Sequence, residues 1–193
     1  MLHHQINMSK AFTRENDNAP DDEIEDEGPK LPPGTKNYMT HKCAEKMRTE
    51  LKHLRYRERP ETAQMVNWAA QNGDRSENAD YTYNKRRLAQ IDRRLRYLSK
   101  RLESADIIDP VSVKSDQILF GATVTIRDED GTEQRYSIVG VDEVDVKKGK
   151  ISWQSPIANS LFKAKEGDLV TFRSPKGVRE IEIIKIRYIE IQD

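Results

Sequence analysis

Residues 73–102 read GDRSENADYTYNKRRLAQIDRRLRYLSKRL, and this stretch decides the fold. Tyr81, Asn84, Leu88, Ile91, Leu95, Leu98 and Leu102 recur in alternating steps of three and four. That is the a/d seam of a coiled coil. A helix from about Ser76 to Glu103 would be roughly 40 Å long at 1.5 Å per residue. Upstream, Thr40 is a candidate N-cap for a helix opening at His41. Met47, Leu51 and Leu54 carry the seam of this first helix, and Thr62, Met65 and Ala69 resume it beyond Pro60. Pro60 lacks a backbone donor, so a kink or local break is predicted near Arg59. Gly73 closes the helix. With so short a connection the two helices must run antiparallel.

The rest of the 193 residues arranges itself around that hairpin. Residues 1–37 hold the acidic run Asp21, Asp22, Glu23, Glu25, Asp26 and Glu27, with Pro20, Pro29, Pro32 and Pro33 and few apolar side chains. Too little surface can be buried there to offset ordering, so a disordered, solvated leader is expected. Beyond Asp109-Pro110 the periodicity becomes that of strands. Ala122–Arg127 and Gln134–Val139 flank Asp130-Gly131 as a β-hairpin. Ile151–Trp153 reads as a strand, Pro156–Phe162 as a short helix, and Leu169–Arg173 and Val178–Ile189 as two further strands. The expected class is therefore α+β in two domains: a coiled coil over 38–110 with its tip at 73–81, and a second unit over 116–193.

Charged residues make up 34% of the chain and hydrophobic residues 35%. This balance suits long solvated helices beside a small core. Net charge is zero, yet the leader is acidic and Arg75–Arg101 is basic. The single cysteine, Cys43, excludes an intramolecular disulfide and fits a reducing cytoplasm. Met1–Lys10 lacks the apolar region of a secretory signal, and no apolar run reaches the roughly 20 residues of a membrane span.

The tip places Asp74, Glu77 and Asp80 three residues apart. One reading is an acidic capping box, with Asp74 at the N-cap and Glu77 three residues on, in the favourable field of the helix dipole. The other is a partial shell for magnesium, which takes oxygen ligands in an octahedron. Two or three exposed carboxylates make a poor site alone but could complete one elsewhere. Along the second helix, Arg86-Arg87, Arg93-Arg94 and Lys100-Arg101 fall at f and g of successive heptads, with Lys85 beside them. This stripe can pair with Glu45, Glu50, Glu58 or Glu61 of the first helix, or can contact RNA phosphates.

From Trp68 through the tip to Leu88 and on to Leu98, the chain resembles the Gre transcript-cleavage factors, the GreB branch more than the GreA branch. Arg59-Pro60-Glu61 also fits that branch, and the similarity covers about Tyr38 to Ile189. The resemblance implies an FKBP-like C-terminal domain that docks at the secondary channel of bacterial RNA polymerase. It implies a coiled coil that enters the channel and tip acids, Asp74 and Glu77, that share a second Mg2+ with the polymerase. Asn78, Asp80 and Tyr81 match the motif around them. The implied outcome is cleavage of backtracked nascent RNA at its 3′ end by the polymerase, so the chain would be a monomeric factor with no cofactor of its own and not an enzyme. The implied docking loop is Gln154-Ser155-Pro156. Gln154 stands where the family usually has an acid, which removes a charge-assisted hydrogen bond, roughly twice as strong as a neutral one. Two rival functions remain on the sequence: a prolyl isomerase, which would need an aromatic-lined pocket, and a channel binder that inhibits without cleavage.

Overall fold

The computed structural model describes Gly28, Leu31, Pro32 and residues 34–71, 78–174 and 177–192. The acidic run, residues 72–77 with Asp74 and Glu77, and residues 175–176 lie outside the described residues.

The first arm of the hairpin opens as the sequence predicts. Thr40 accepts the Cys43 N–H on its hydroxyl at 3.2 Å, and α1 (His41–His53) follows. Of the kink or local break expected near Arg59, the structure shows a local departure from α-helical bonding just before that residue and no gap in the helix. A π-helical turn, Leu54–Glu58, leads without interruption into α2 (Arg59–Gln71). Arg59 N–H donates to the Leu54 carbonyl, five residues back. A proline ring clashes with the carbonyl four residues before it, here Tyr56. The wider turn accommodates that ring while the helix runs on.

The π turn also shifts the seam. Continuing Met47, Leu51 and Leu54 in steps of four and three would bring residues 61, 65 and 68 inward. One inserted residue moves these places to 62, 66 and 69. Thr62 and Ala69 are buried, Val66 is half-buried, and Met65 and Trp68 are 54% and 63% exposed. The predicted seam position at Met65 is therefore corrected to Val66. Opposite runs α3 (Ala79–Glu103), with Ile91 and Leu98 buried and Leu88, Leu95 and Leu102 half-buried.

Two short strands missed by the sequence reading tie off the base of the hairpin. β1 (Asn37–Thr40) pairs in parallel with β2 (Ala105–Ile108). Asn37 is buried, and its amide donates to the Arg101 carbonyl at 2.8 Å, satisfying the end of α3.

The second unit is a five-stranded sheet in the order β5-β4-β3-β7-β6. Its strands are β3 (Thr123–Asp128), β4 (Glu133–Val139), β5 (Lys150–Ser152), β6 (Leu169–Ser174) and β7 (Gly177–Arg187). All neighbours are antiparallel except β4 and β5. The predicted hairpin turns at Asp130-Gly131, where Gly131 has φ 83° and the Asp130 carboxylate accepts the Thr132 N–H at 2.9 Å. Ile118, Val124, Ile126, Ile138, Ile181 and Ile183 form the core with Leu161 from α4 (Pro156–Leu161). The fold is mixed α+β with two domains, as the sequence indicates. No helix among the described residues is long and apolar enough to cross a membrane.

Candidate functional site

At the hairpin tip, Asp74 and Glu77 lie outside the described residues. What holds the tip from below is Asn78. Its backbone is extended, with φ −84° and ψ 102°, and its Oδ1 accepts the Tyr81 N–H at 3.1 Å. Asn78 is thus the N-cap of α3. The helix begins at Ala79 and not near Ser76, so the capping box read at Asp74 and Glu77 is not the cap of this helix. Whether Asp74, Glu77 and Asp80 project to one side falls outside the described residues, which include only Asp80 of the three. The Asn78 Nδ2 donates to the Ala69 carbonyl at 2.8 Å, so one amide caps the second helix and holds the last turn of the first.

Asp80 sits in the first turn of α3, where its charge suits the positive end of the dipole. Its backbone carbonyl accepts the Asn84 amide at 2.9 Å. Tyr81 is half-buried, and the Lys85 ammonium lies 5.8 Å from its ring centroid.

The cationic stripe separates into two rows. At the g positions, Arg87 Nε donates to Glu58 at 2.9 Å. Arg94 forms a bidentate pair with Glu50 at 2.6 and 2.9 Å, a hydrogen bond that raises its pKa further. Two of the predicted cross-hairpin pairs therefore form. Arg101 turns instead to Asp142, which its Nε reaches at 2.9 Å. At the f positions, Arg86 and Lys100 are exposed and Arg93 is half-buried, and none of the three forms an ion pair with a described residue. The Arg93 Nε is buried without a hydrogen-bond partner among the described residues.

Asp142 and its neighbour Glu143 carry the junction between the two units, and the sequence reading missed both. The Tyr97 hydroxyl also donates to Asp142. Burial, then this hydrogen bond, pushes the Tyr97 phenol up. Glu143 accepts the Thr40 N–H at 2.9 Å and the Gly140 N–H at 3.2 Å. Tyr38 adds ring contacts, 5.4 Å to Phe120 and 5.1 Å to Trp153 between centroids. The local pattern shows only that Glu143 caps the short turn at Gly140; the partners that make Asp142 and Glu143 a junction, Tyr97, Arg101 and Thr40, lie more than forty residues away.

On the second unit, Ser155 caps α4 by accepting the Ala158 N–H at 3.2 Å, and Pro156 occupies the first turn. Gln154 is half-buried just ahead of the cap, its backbone carbonyl accepting the Asn159 amide at 3.3 Å. Tyr136, Trp153, Phe162, Phe172 and Tyr188 pack against the sheet core, and Tyr188 is held by Gln117 and Leu119 at 2.6 and 2.9 Å. Nothing in that packing favours a prolyl-isomerase site.

Comparison with known proteins agrees with this two-part build. Residues 37–107 match the family described as "Transcription elongation factor, N-terminal" and residues 113–188 match "Transcription elongation factor, GreA/GreB, C-term". The chain is 53% identical over 158 residues to transcription elongation factor GreB of Neisseria meningitidis serogroup B, which covers 81% of this chain and 97% of the relative. It is 43% identical over 152 residues to transcription elongation factor GreA of Alkalilimnicola ehrlichii, covering 78% and 96%. The crystal structure of GreA factor homolog 1 of Thermus thermophilus matches with TM-score 0.38 and 24% identity over 79% of this chain and 99% of that one. On its two domain matches and its identity to these relatives, the chain belongs to the GreA/GreB family of transcription elongation factors.

Proposed function

We propose that this chain binds bacterial RNA polymerase and stimulates the polymerase's own cleavage of backtracked nascent RNA. The observation that carries this reading is the cap at Asn78. With α3 capped there, the capping role that would explain Asp74 and Glu77 blandly is already filled. In the chain the two acids fall between the end of α2 at Gln71 and that cap, and the second arm alone is about 37 Å long.

Carboxylates are the hard oxygen donors that magnesium prefers, and two of them leave its octahedron incomplete. Asp74 and Glu77 would hold one face of a shared Mg2+, with the polymerase supplying the rest. That ion, when bound, supplies water activation and charge stabilisation for phosphodiester hydrolysis. The chain's own residues position the acids. Asn78 fixes the exit of α2 against the entry of α3, and the g-row pairs tie the two arms together beneath them. In this reading the loop Gln154-Ser155-Pro156 contacts the polymerase at its secondary channel, and the f row faces RNA. The protein then acts as a monomer in the cytoplasm and contributes to another enzyme's site without being an enzyme.

The test is to add the full chain to halted, backtracked elongation complexes with Mg2+. Short RNA products released from the 3′ end support the reading. Complexes that stay stalled without products would instead make the chain an inhibitor of the same shape.

A further inference from the structure

The f row ends, on its tip side, at an exposed ring. Tyr83 is the fifth residue of α3, one turn beyond the cap at Asn78, and is 70% exposed. Neither its ring nor its hydroxyl has a partner among the described residues. Around α3, at about 100° per residue, Arg86 stands about 60° from Tyr83 and Arg93 about 80°. Along the axis they lie about 4.5 and 15 Å from it at 1.5 Å per residue. Ring and row therefore share one face of the helix.

An exposed helical position gains nothing from tyrosine as a helix former, since Leu, Arg, Lys and Glu all rank above it. What the ring offers there is an open π-face. Proteins that hold single-stranded nucleic acid combine a cationic track for the phosphates with aromatic rings on which bases stack. The f row, without acidic partners among the described residues, supplies the track, and Tyr83 supplies the ring. The other rings of the hairpin lack this setting. Trp68, on α2, shares its surface with Glu61, Gln64 and Met65. Tyr81 is half-buried, with the Lys85 ammonium over its ring. Tyr56 lies fifteen residues before the end of α2 at Gln71, well back from the tip.

We propose that Tyr83 is a base-stacking residue: an unpaired RNA base rests on its ring while Arg86 and Arg93 hold neighbouring phosphates. This rests on the f row facing RNA and adds the contact that fixes where a base stops along the row. Phosphate contacts alone let a strand slide, and a stacked base at the tip end of the row sets its register.

Photo-cross-linking of the full chain to a short single-stranded RNA carrying one iodouridine tests this, because the irradiated base joins chiefly to an aromatic ring stacked on it. The expected adduct is at Tyr83. Tyr83→Phe should keep it. Tyr83→Leu, which retains apolar bulk and suits the helix, should lose it and bind the RNA at least about fivefold more weakly at low salt. Arg86→Gln with Arg93→Gln should weaken binding and flatten its salt dependence, with the remaining adduct still at Tyr83. The proposal is overturned if the adduct forms at Trp68, Tyr56 or Tyr81, or at no ring. It is equally overturned if Tyr83→Leu binds RNA as the parent does, which would make Tyr83 an apolar contact for a protein surface. The same base placed in the extruded 3′ segment of a backtracked elongation complex separates this contact from the cleavage role. An adduct at Tyr83 without released fragments removes the cleavage role and keeps the stacking contact, and fragments released with no adduct at Tyr83 do the reverse.

Discussion

Replacing Asn78 tests the base of the tip most sharply, because one amide makes two separable contacts. Its Oδ1 caps α3 through the Tyr81 N–H at 3.1 Å, and its Nδ2 holds the Ala69 carbonyl at 2.8 Å. Losing an Asn cap costs about 1 kcal/mol. Losing a part-buried hydrogen bond that crosses the hairpin costs about 1 kcal/mol more. Asn78→Ala should therefore destabilise the tip-proximal turns by about 2 kcal/mol, and Asn78→Ser, which keeps a capping oxygen, by about 1 kcal/mol. The assay is native-state hydrogen exchange at the amides of Asn84 and Lys85, which report local opening without being partners of Asn78. At 1.36 kcal/mol per factor of ten, exchange should quicken about 30-fold in the alanine variant and about fivefold in the serine variant. If the serine variant exchanges like the parent, the bridge to Ala69 contributes nothing. If the alanine variant does too, Asn78 does not hold the tip.

Further outcomes follow from other parts of the fold. Asp142→Ala leaves Arg101, whose side chain is 9% exposed, buried without its acid, and should cost about 3–5 kcal/mol in urea unfolding. Replacing both partners, Arg101→Met with Asp142→Leu, should recover most of that, and a single-variant loss below about 1 kcal/mol would contradict the junction described. Burial pushes the Cys43 thiol up to about 12 from 9.0, so the folded chain keeps a proton that the unfolded chain releases. Stability from this group is complete below pH 9 and declines as pH rises toward 12, by about 1.4 kcal/mol per unit. Cys43→Ala should flatten that decline in alkaline urea melts, and the native thiol should resist an aromatic disulfide reagent at pH 8 until the protein unfolds.

What could be read in advance was whatever depends on near neighbours in the chain. The heptads of α3, the cap at Thr40, the turn at Asp130-Gly131 and the short helix behind Ser155 each carry their cause within a few residues. The start of α3 was misplaced because Asp and Asn rank almost equally as caps. The contact that singles out Asn78 comes from Ala69, across the hairpin. Pro60 was visible, but whether a helix answers a proline with a break or a π turn depends on what the seam gains by continuing. Here a one-residue shift brings Thr62, Val66 and Ala69 inward. The parallel pair β1 and β2 is four residues long with no alternation, and its register joins residues 68 apart, as in Asn37 with Ala105. The stripe was legible as charge, while its division into paired and unpaired rows needed the facing helix and Asp142.

The most direct measurement of the central claim compares Asp74→Ala and Glu77→Ala with the parent chain on backtracked elongation complexes, with polymerase affinity measured in parallel. The account predicts that both variants bind the polymerase nearly as the parent does and lose the stimulated release of RNA fragments. A variant that still cleaves like the parent at matched occupancy would contradict a shared metal at the tip.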